Sequence, residues 1–275
     1  MSGSLSQHDA DFVRDLVYRR SAIVLDESKA YLIESRLHQA ANDAGVASAA
    51  EVVKLARAGG PSSAAQTRIV EAITTHETTF FRDIQPFDAL KNAILPVLKL
   101  ARAGRPITIW SAACSSGQEP YSIAMLVLEH FPELANGRLR IVATDLSSQV
   151  LERARTGIYR QLEVNRGLPA AMAVKYFERA GANWQLRPEV KRLVTFRQLN
   201  LLDEWSGIAM PDIVFMRYVL IYFDLATKKG ILGRLASTMA HDGALLLGGT
   251  ETTINVDDGW DRVSHERSTY YKVKR

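Results

Sequence analysis

Two carboxylates in this 275-residue sequence, Glu119 and Asp145, fall where an open α/β sheet would meet a ligand. Ile107-Thr108-Ile109-Trp110 reads as a short apolar strand. It runs into Ser111-Ala112-Ala113-Cys114-Ser115-Ser116-Gly117, small residues that let a ligand approach the backbone closely. A second strand, Leu139 to Ala143, ends in Thr144-Asp145, 36 residues after Ile109. Open α/β sheets bind ligands outside the carboxyl ends of their strands. A carboxylate there can accept charge-assisted hydrogen bonds from both ribose hydroxyls. Asp145 taken alone also reads as a helix N-cap with no ligand. The loop holds one glycine, and Glu119 and Pro120 stand where the next helix begins. A carboxylate at that turn repels a pyrophosphate, which argues against a dinucleotide. A cationic ligand, a sulfonium or an amino group, suits it better.

The elements that must position these residues divide into two patterns. The first 75 residues read as four amphipathic helices. Ser6-Gln7-His8-Asp9 and Ser48-Ala49-Ala50-Glu51 look like capping boxes, the first before Phe12, Val13, Leu16 and Val17, the second before Val52, Leu55 and Ala56. A helix over Ser28 to Asn42 carries Leu32, Leu37 and Ala40 inward, and one over Ser63 to Thr74 carries Ile69, Val70 and Ile73. Pro86 to Arg102 is a connecting helix that Pro96 should kink. From Arg105 strands and helices alternate: helices over Tyr121 to His130, Ser147 to Arg155 and Leu225 to Met239, strands over Asp212 to Met216 and Ala244 to Leu247. Thr269 to Val273 reads as a closing edge strand. Such alternation implies a mostly parallel sheet covered on both faces. Val174-Lys175-Tyr176-Phe177, Asn183-Trp184-Gln185-Leu186 and Leu193-Val194-Thr195-Phe196 look like a small antiparallel insertion. The expected divisions are 1–77 for an all-α domain, 78–104 for a linker helix and 105–275 for the α/β domain, with a β subdomain at about 172–198.

At this point the motifs resemble one family. Trp110 through Ala124, WSAACSSGQEPYSIA, closely resembles the cofactor loop of the CheR chemotaxis-receptor methyltransferases, and Thr144-Asp145 with Val150 through Tyr159 resembles their ribose-binding segment. Thr74 through Arg82 is similar to their interdomain signature; Asn200-Leu201-Leu202 and Arg217 with Leu220-Ile221-Tyr222-Phe223 match two later ones. The resemblance runs in order over nearly the whole chain. It implies an α/β fold: a Rossmann-like methyltransferase sheet with a small antiparallel β insertion, preceded by a small all-α N-terminal domain. It implies S-adenosylmethionine as cofactor, S-adenosylhomocysteine as product, and glutamate side chains of chemoreceptors as acceptors.

Position by position, the resemblance implies that Glu119 holds the amino group of the methionine portion and Asp145 the ribose, with Asn200 and Leu201 flanking the adenine. Thr78 and Arg82 would line cofactor and incoming glutamate, Tyr222 would sit near the transferred methyl, and His76, Ala113, Tyr218 and Val219 complete the expected cofactor set. Arg82 and Tyr222 are the candidate catalytic residues; an ion pair for Arg82 and a packing role for Tyr222 are the alternatives. Three departures stand out: the family usually has Asn at His76, Asn at Tyr218 and His at Gly249. They support a rival reading, a module that binds the cofactor or its product and transfers nothing. An NAD-dependent oxidoreductase is a third class, and Glu119 argues against it.

The chemistry needs little else. A glutamate carboxylate, with an unperturbed pKa near about 4.3, is already ionised at neutral pH, so no general base is required. No metal is required either, and no His/Cys/Asp cluster has ligand spacing. Joining a sulfonium to a carboxylate cancels charge, so a dry site favours the step. Arg82 can orient the carboxylate through its planar fork.

Bulk properties fit this reading. The sequence is 47% hydrophobic and 23% charged, ordinary for a globular protein. It lacks a membrane-length apolar run and a signal core, and its single cysteine, Cys114, fits a reducing compartment. The expectation is a cytoplasmic monomer without nucleic-acid or membrane partners. Residues 1–75 are nearly charge-balanced, but residues 151–200 hold ten Lys/Arg against four Glu. That excess reads either as a solvated face or as a docking surface for an acidic partner. The turn Arg179-Ala180-Gly181-Ala182-Asn183-Trp184 is short where part of the family recognises a tethering pentapeptide, so receptor recognition without a tether is expected.

Overall fold

A computed structural model describes residues 5–26, 30–60, 63–208 and 210–274. The chain divides into two units, residues 1–75 with 222–227, and residues 76–221 with 228–275.

The first unit contains α1 (Gln7–Ser21), α2 (Ala30–Ala44), α3 (Ala49–Ala58) and α4 (Ala64–Ile73). Both expected N-caps form, although the reciprocal bond of a full box to the cap residue's own N–H is not made. Ser6 Oγ accepts from Asp9 N, and Ser48 Oγ accepts from Glu51 N while Glu51 accepts from Ala47 N. The predicted start of the second helix at Ser28 lies outside the described residues. Val13, Leu16 and Val17 of α1 meet Ile33, Leu37 and Ala40 of α2, Val52, Val53 and Ala56 of α3, and Ile69, Val70 and Ile73 of α4 in one buried core. Leu55 faces solvent at 46% exposure, and Val53 takes the inward position instead. Residues 222–227 return to this unit, where Tyr18 donates to Asp224 and Val24 N donates to the Tyr222 carbonyl.

The second unit opens with α5 (Ile84–Ala89) and α6 (Leu95–Ala101), joined by a π-helical turn over Leu90–Ile94. Pro96 cannot donate to the turn before it and crowds its carbonyls, and the wider turn just ahead relieves this conflict. There follow β1 (Ile107–Ala112), α7 (Gln118–His130), β2 (Leu139–Asp145), α8 (Ser148–Thr156), β3 (Ile158–Arg160), α9 (Gln161–Asn165), α10 (Ala170–Tyr176), β4 (Phe177–Ala180), β5 (Asn183–Leu186), α11 (Pro188–Lys191) and β6 (Val194–Gln198). The chain closes with β7 (Ile213–Met216), a 3₁₀ turn at Leu220–Tyr222, α12 (Leu225–Thr238), β8 (Ala244–Leu247), β9 (Trp260–His265) and β10 (Ser268–Val273).

The main sheet has the order β6-β2-β1-β7-β8-β10-β9, parallel from β6 to β8 and antiparallel thereafter. β7 and β8 are buried along their whole length, as their continuous apolar sequences require. Connections leave β1 toward β2 and leave β7 toward β8, so the strand order reverses between β1 and β7. That reversal opens a crevice at their carboxyl ends.

Two expectations about the strands are corrected. Thr269 to Val273 lies within β10, between β8 and β9; the edge is β9, whose polar sequence gave no strand signal. The small sheet is β3-β5-β4; of the three segments expected, Asn183–Leu186 is its central strand and the other two do not form it as expected. Val174 to Tyr176 is helical, and Val194–Gln198 pairs in parallel with β2, Ile141 opposite Val194. A three-residue strand, Ile158–Arg160, takes the remaining place.

Candidate active site

The loop leaving β1 turns by placing Ala113, Ser115 and Gly117 in the left-handed region, at φ 55°, 50° and 92°. Gly117 is dictated twice over. Its φ disfavours any side chain, and a Cβ there would lie 2.9 Å from the Cβ of Ala154 and 3.2 Å from Tyr121 and the Tyr159 hydroxyl. Tyr159 donates to the Ser116 carbonyl (2.7 Å) and Tyr121 to the Ala154 carbonyl (2.9 Å), pinning the loop from below. Cys114 is buried beside them, and burial pushes its thiol well up.

Asp145 ends β2 and is 5% exposed. One oxygen accepts from Ser115 N (2.8 Å) and the other from Ser147 N (3.0 Å). Burial pushes this carboxyl above the ordinary aspartate value, while those amides and the charge of His76 pull it down. Ser115 Oγ donates to the His76 carbonyl (2.8 Å), which ties residues 76–79, including half-buried Thr78, to the loop. On the far side of β2, Leu199 N donates to the Asp145 carbonyl (2.9 Å) and leads into Asn200 and Leu201. Asn200 Oδ1 accepts from Leu202 N, and Trp205 donates to the Leu201 carbonyl while standing edge-on to Trp110 at 4.8 Å.

Glu119 lies in the first turn of α7 and is 9% exposed. It accepts from Ser111 Oγ (2.7 Å) and from Arg217 Nη1 (2.9 Å). Arg217 follows β7, and its other terminal nitrogen donates to the Arg82 carbonyl (2.6 Å) and to Asp83 (3.0 Å). Its Nε is buried without a partner. Glu119 is therefore already ion-paired, a partner the sequence reading did not foresee. Because Asp83 shares the same guanidinium, the trio still holds one more negative than positive group.

Tyr218 sits in the left-handed region, at φ 57°. Its ring carries the Arg82 guanidinium at 3.8 Å, and its hydroxyl donates to Asp83. Arg82 Nη1 donates to the Glu77 carbonyl (3.0 Å), and Arg82 forms no ion pair among the described residues, so the alternative role weighed for it is not observed. The residue that holds this turn is one the sequence reading did not single out. Glu251, after β8, accepts the backbone N–H groups of Tyr218 (2.6 Å), Val219 (3.0 Å), Ile221 (3.3 Å) and Gly248 (2.8 Å). Burial pushes its carboxyl up, against the pull of these amides. Its only sequence signal is an acidic residue four positions after a buried strand.

The carboxyl ends of β1, β2, β6 and β7 thus carry Ala113, Glu119, Asp145, Asn200, Leu201, Tyr218 and Val219, with residues 76–82 tied across them. Tyr222 groups instead with the first unit. Of the ten cations in residues 151–200, Arg153, Arg155, Arg160, Arg166 and Lys175 are ion-paired, which leaves the local excess on Arg179, Arg187, Lys191, Arg192 and Arg197. Among the described residues no group of three or more His, Cys, Asp or Glu is placed to hold a metal ion, and no helix is long and apolar enough to cross a membrane.

Comparison with known proteins shows the family. Residues 8–74 match the family model for the all-alpha domain of CheR methyltransferases, and residues 76–269 match that for the CheR methyltransferase SAM binding domain. Chemotaxis protein methyltransferase 1 of Pseudomonas aeruginosa is 38% identical over 276 residues, covering 98% of this chain and 100% of its own. Chemotaxis protein methyltransferase Cher2 of Pseudomonas putida is 39% identical over 277 residues with the same coverage. The chemotaxis protein methyltransferase of Vibrio parahaemolyticus is 40% identical over 272 residues, 98% of this chain and 97% of its own. Both units are matched, and the buried carboxylates lie within the second, so the chain belongs to the CheR family of S-adenosylmethionine-dependent methyltransferases.

Proposed function

We propose that this protein methylates the γ-carboxylate of glutamate side chains on chemoreceptors, using S-adenosylmethionine. The observation that carries the reading is the unfilled acceptor capacity of two buried carboxylates at adjacent strand ends. Asp145 accepts the backbone N–H groups of Ser115 and Ser147 on separate oxygens, with the Leu146 amide beside them, and a carboxylate's roughly four acceptor sites leave room for a ribose hydroxyl. The Glu119–Arg217–Asp83 trio retains a net negative charge beside the buried, unpartnered Nε of Arg217. An amino group beside Glu119 and a carboxylate beside Arg217 Nε would satisfy both, which is the donor and acceptor set of a methionine portion. The residues present therefore fit the cofactor.

When bound, S-adenosylmethionine supplies an electrophilic methyl group on a cationic sulfur. The protein's own part is to hold and to dry. Asp145 takes the ribose, Asn200 and Leu201 border the adenine, and Ala113 and His76 border the nucleoside, with Thr78, Tyr218 and Val219 completing the wall. Arg82, held flat on Tyr218, orients the acceptor carboxylate. No side chain has to remove a proton, since the acceptor is ionised at neutral pH. Fixing both reactants in line lowers the barrier by up to roughly 7–11 kcal/mol. Recognition proceeds without a pentapeptide tether, in keeping with the tight turn between β4 and β5.

The test is a methyl-transfer assay with methyl-tritiated cofactor and receptor-bearing membranes. A carboxylate ester gives label that mild base releases as methanol. Label that survives base would refute ester formation. Binding of S-adenosylhomocysteine without any labelling would favour the sensor reading.

A further inference from the structure

Tyr218 and Asp83 also border a cavity of about 550 Å³ whose remaining walls come from Gln85 and Pro86 of α5, the exit of β8 and the β9–β10 hairpin. Two carboxylates line it, and both are occupied: Glu251 by backbone amides, and Asp83 by Arg217 and Tyr218. Two guanidiniums line it as well, Arg262 and Arg267, and neither forms an ion pair with a described residue. Arg262 donates only to the Thr269 hydroxyl, at 3.3 Å.

The hairpin that carries them is firmly placed. β9 and β10 pair from Trp260 opposite Val273 to His265 opposite Ser268, β10 pairs with β8 through Tyr271 and Leu245, and the Tyr271 hydroxyl donates to Thr252 (3.3 Å). Arg262 and Tyr271 are register partners, so their side chains share one sheet face, and Arg267 sits at the tip. The cavity therefore offers hydroxyl groups and two uncommitted cations beside the stack that holds Arg82.

The geometry points to a subsite for an acidic side chain of the protein substrate, taken by Arg262 and Arg267 and separate from the residues that hold the cofactor. This rests on the reading above, that the acceptor is a glutamate-bearing segment. On a helical acceptor, residues one turn apart lie about 5–6 Å from each other, so a neighbouring carboxylate must be received beside the reacting one. A carboxylate fits the guanidinium fork and carries a single charge. A phosphate, with more charge, would meet repulsion from Glu251 and Asp83 in the same cavity.

The experiment uses the full chain and a fluorescein-labelled helical peptide with glutamates along one face, alongside the same peptide with glutamines. Anisotropy should show Arg262→Ala/Arg267→Ala binding the glutamate peptide about tenfold more weakly, with Arg262→Lys/Arg267→Lys recovering most of the loss. Affinity for the glutamine peptide and for S-adenosylhomocysteine should be unchanged. Glutamate-peptide binding within about twofold of wild type, or an equal loss for the glutamine peptide, overturns the subsite. Methyl transfer is read separately. Charge-dependent binding without labelling overturns the glutamate-methylation reading and leaves the subsite standing, whereas labelling with an unchanged KM in the double alanine variant does the reverse.

Discussion

A buried carboxylate can serve a fold or a ligand, and Asp145 does both. Its backbone bonds join the loop after β1 to the start of α8, and the acceptor capacity left over is what a ribose hydroxyl would use. Asp145→Asn places an amide nitrogen against one of those N–H donors and removes an acceptor. We expect affinity for S-adenosylhomocysteine to fall about 100-fold by calorimetry, the loss expected of two hydrogen bonds to a charged group. The pH dependence follows from the same burial. Because the carboxyl titrates above the ordinary aspartate value, affinity should hold near neutrality and weaken as pH falls through that raised value, and Asp145→Asn should lack this phase. Stability runs the other way. A folded-state pKa raised above the unfolded one contributes stability below the unfolded value, lost as pH rises through the folded one, so Asp145 and Glu251 favour the apoprotein most in acid. An affinity that stays level down to the acid range in the wild type would show that Asp145 does not bind the ribose.

At the scale of elements, the turn after β7 illustrates what the sequence could and could not disclose. Tyr218 and Gly249 depart from the family pattern, and the structure makes them neighbours: a Cβ at Gly249 would lie 3.7 Å from the Tyr218 hydroxyl. A large residue at one position therefore competes for the space used at the other. Gly249→His should set an imidazole against the Tyr218 phenol, and Tyr218→Asn should remove that contact. A double-mutant cycle read by thermal melting should give a coupling above about 0.5 kcal/mol; additivity would separate the two sites. The strands β7 and β8 were legible because burial on both faces imposes an unbroken apolar run, and β1 and β2 because most of their residues are apolar and buried. Ile158–Arg160 was too short to carry a pattern, and β9 has too few apolar residues to show one. Val194–Gln198 was recognised as extended but assigned to the wrong sheet, since its partner Ile141 is distant in sequence and no local signal names it. Glu251 escaped for a related reason. Its partners are backbone amides near residue 218, and backbone donors leave no trace in residue type.

Over the whole second unit, charge is used differently at the two ends of the sheet. At the amino ends, Asp212 is fully buried between strands and accepts from Arg102 Nε (2.8 Å), Arg105 (2.7 Å) and Thr108 N (2.9 Å), while Arg102 also binds Asp242. That network is closed: every carboxylate in it faces a cation or an amide of the protein. At the carboxyl ends, Glu119, Asp83 and Arg217 leave a net charge and an unpartnered Nε. Stability and ligand affinity should therefore separate between the two ends. Asp212→Ala leaves a nearly buried Arg102 undercompensated and should cost roughly 3–5 kcal/mol, or about 6–20 °C in Tm for a unit of this size. Its affinity for S-adenosylhomocysteine, measured well below the transition, should match the wild type. Glu119→Gln should do the opposite, weakening the ligand about tenfold or more while moving Tm by much less, because the glutamine oxygen can still accept from Arg217 while its amide donates to the Ser111 hydroxyl. Equal effects of the two substitutions on both measurements would mean that the sheet does not divide these tasks. The carboxyl-end charges would then be structural, and the case for a cationic ligand at Glu119 would lose its electrostatic basis.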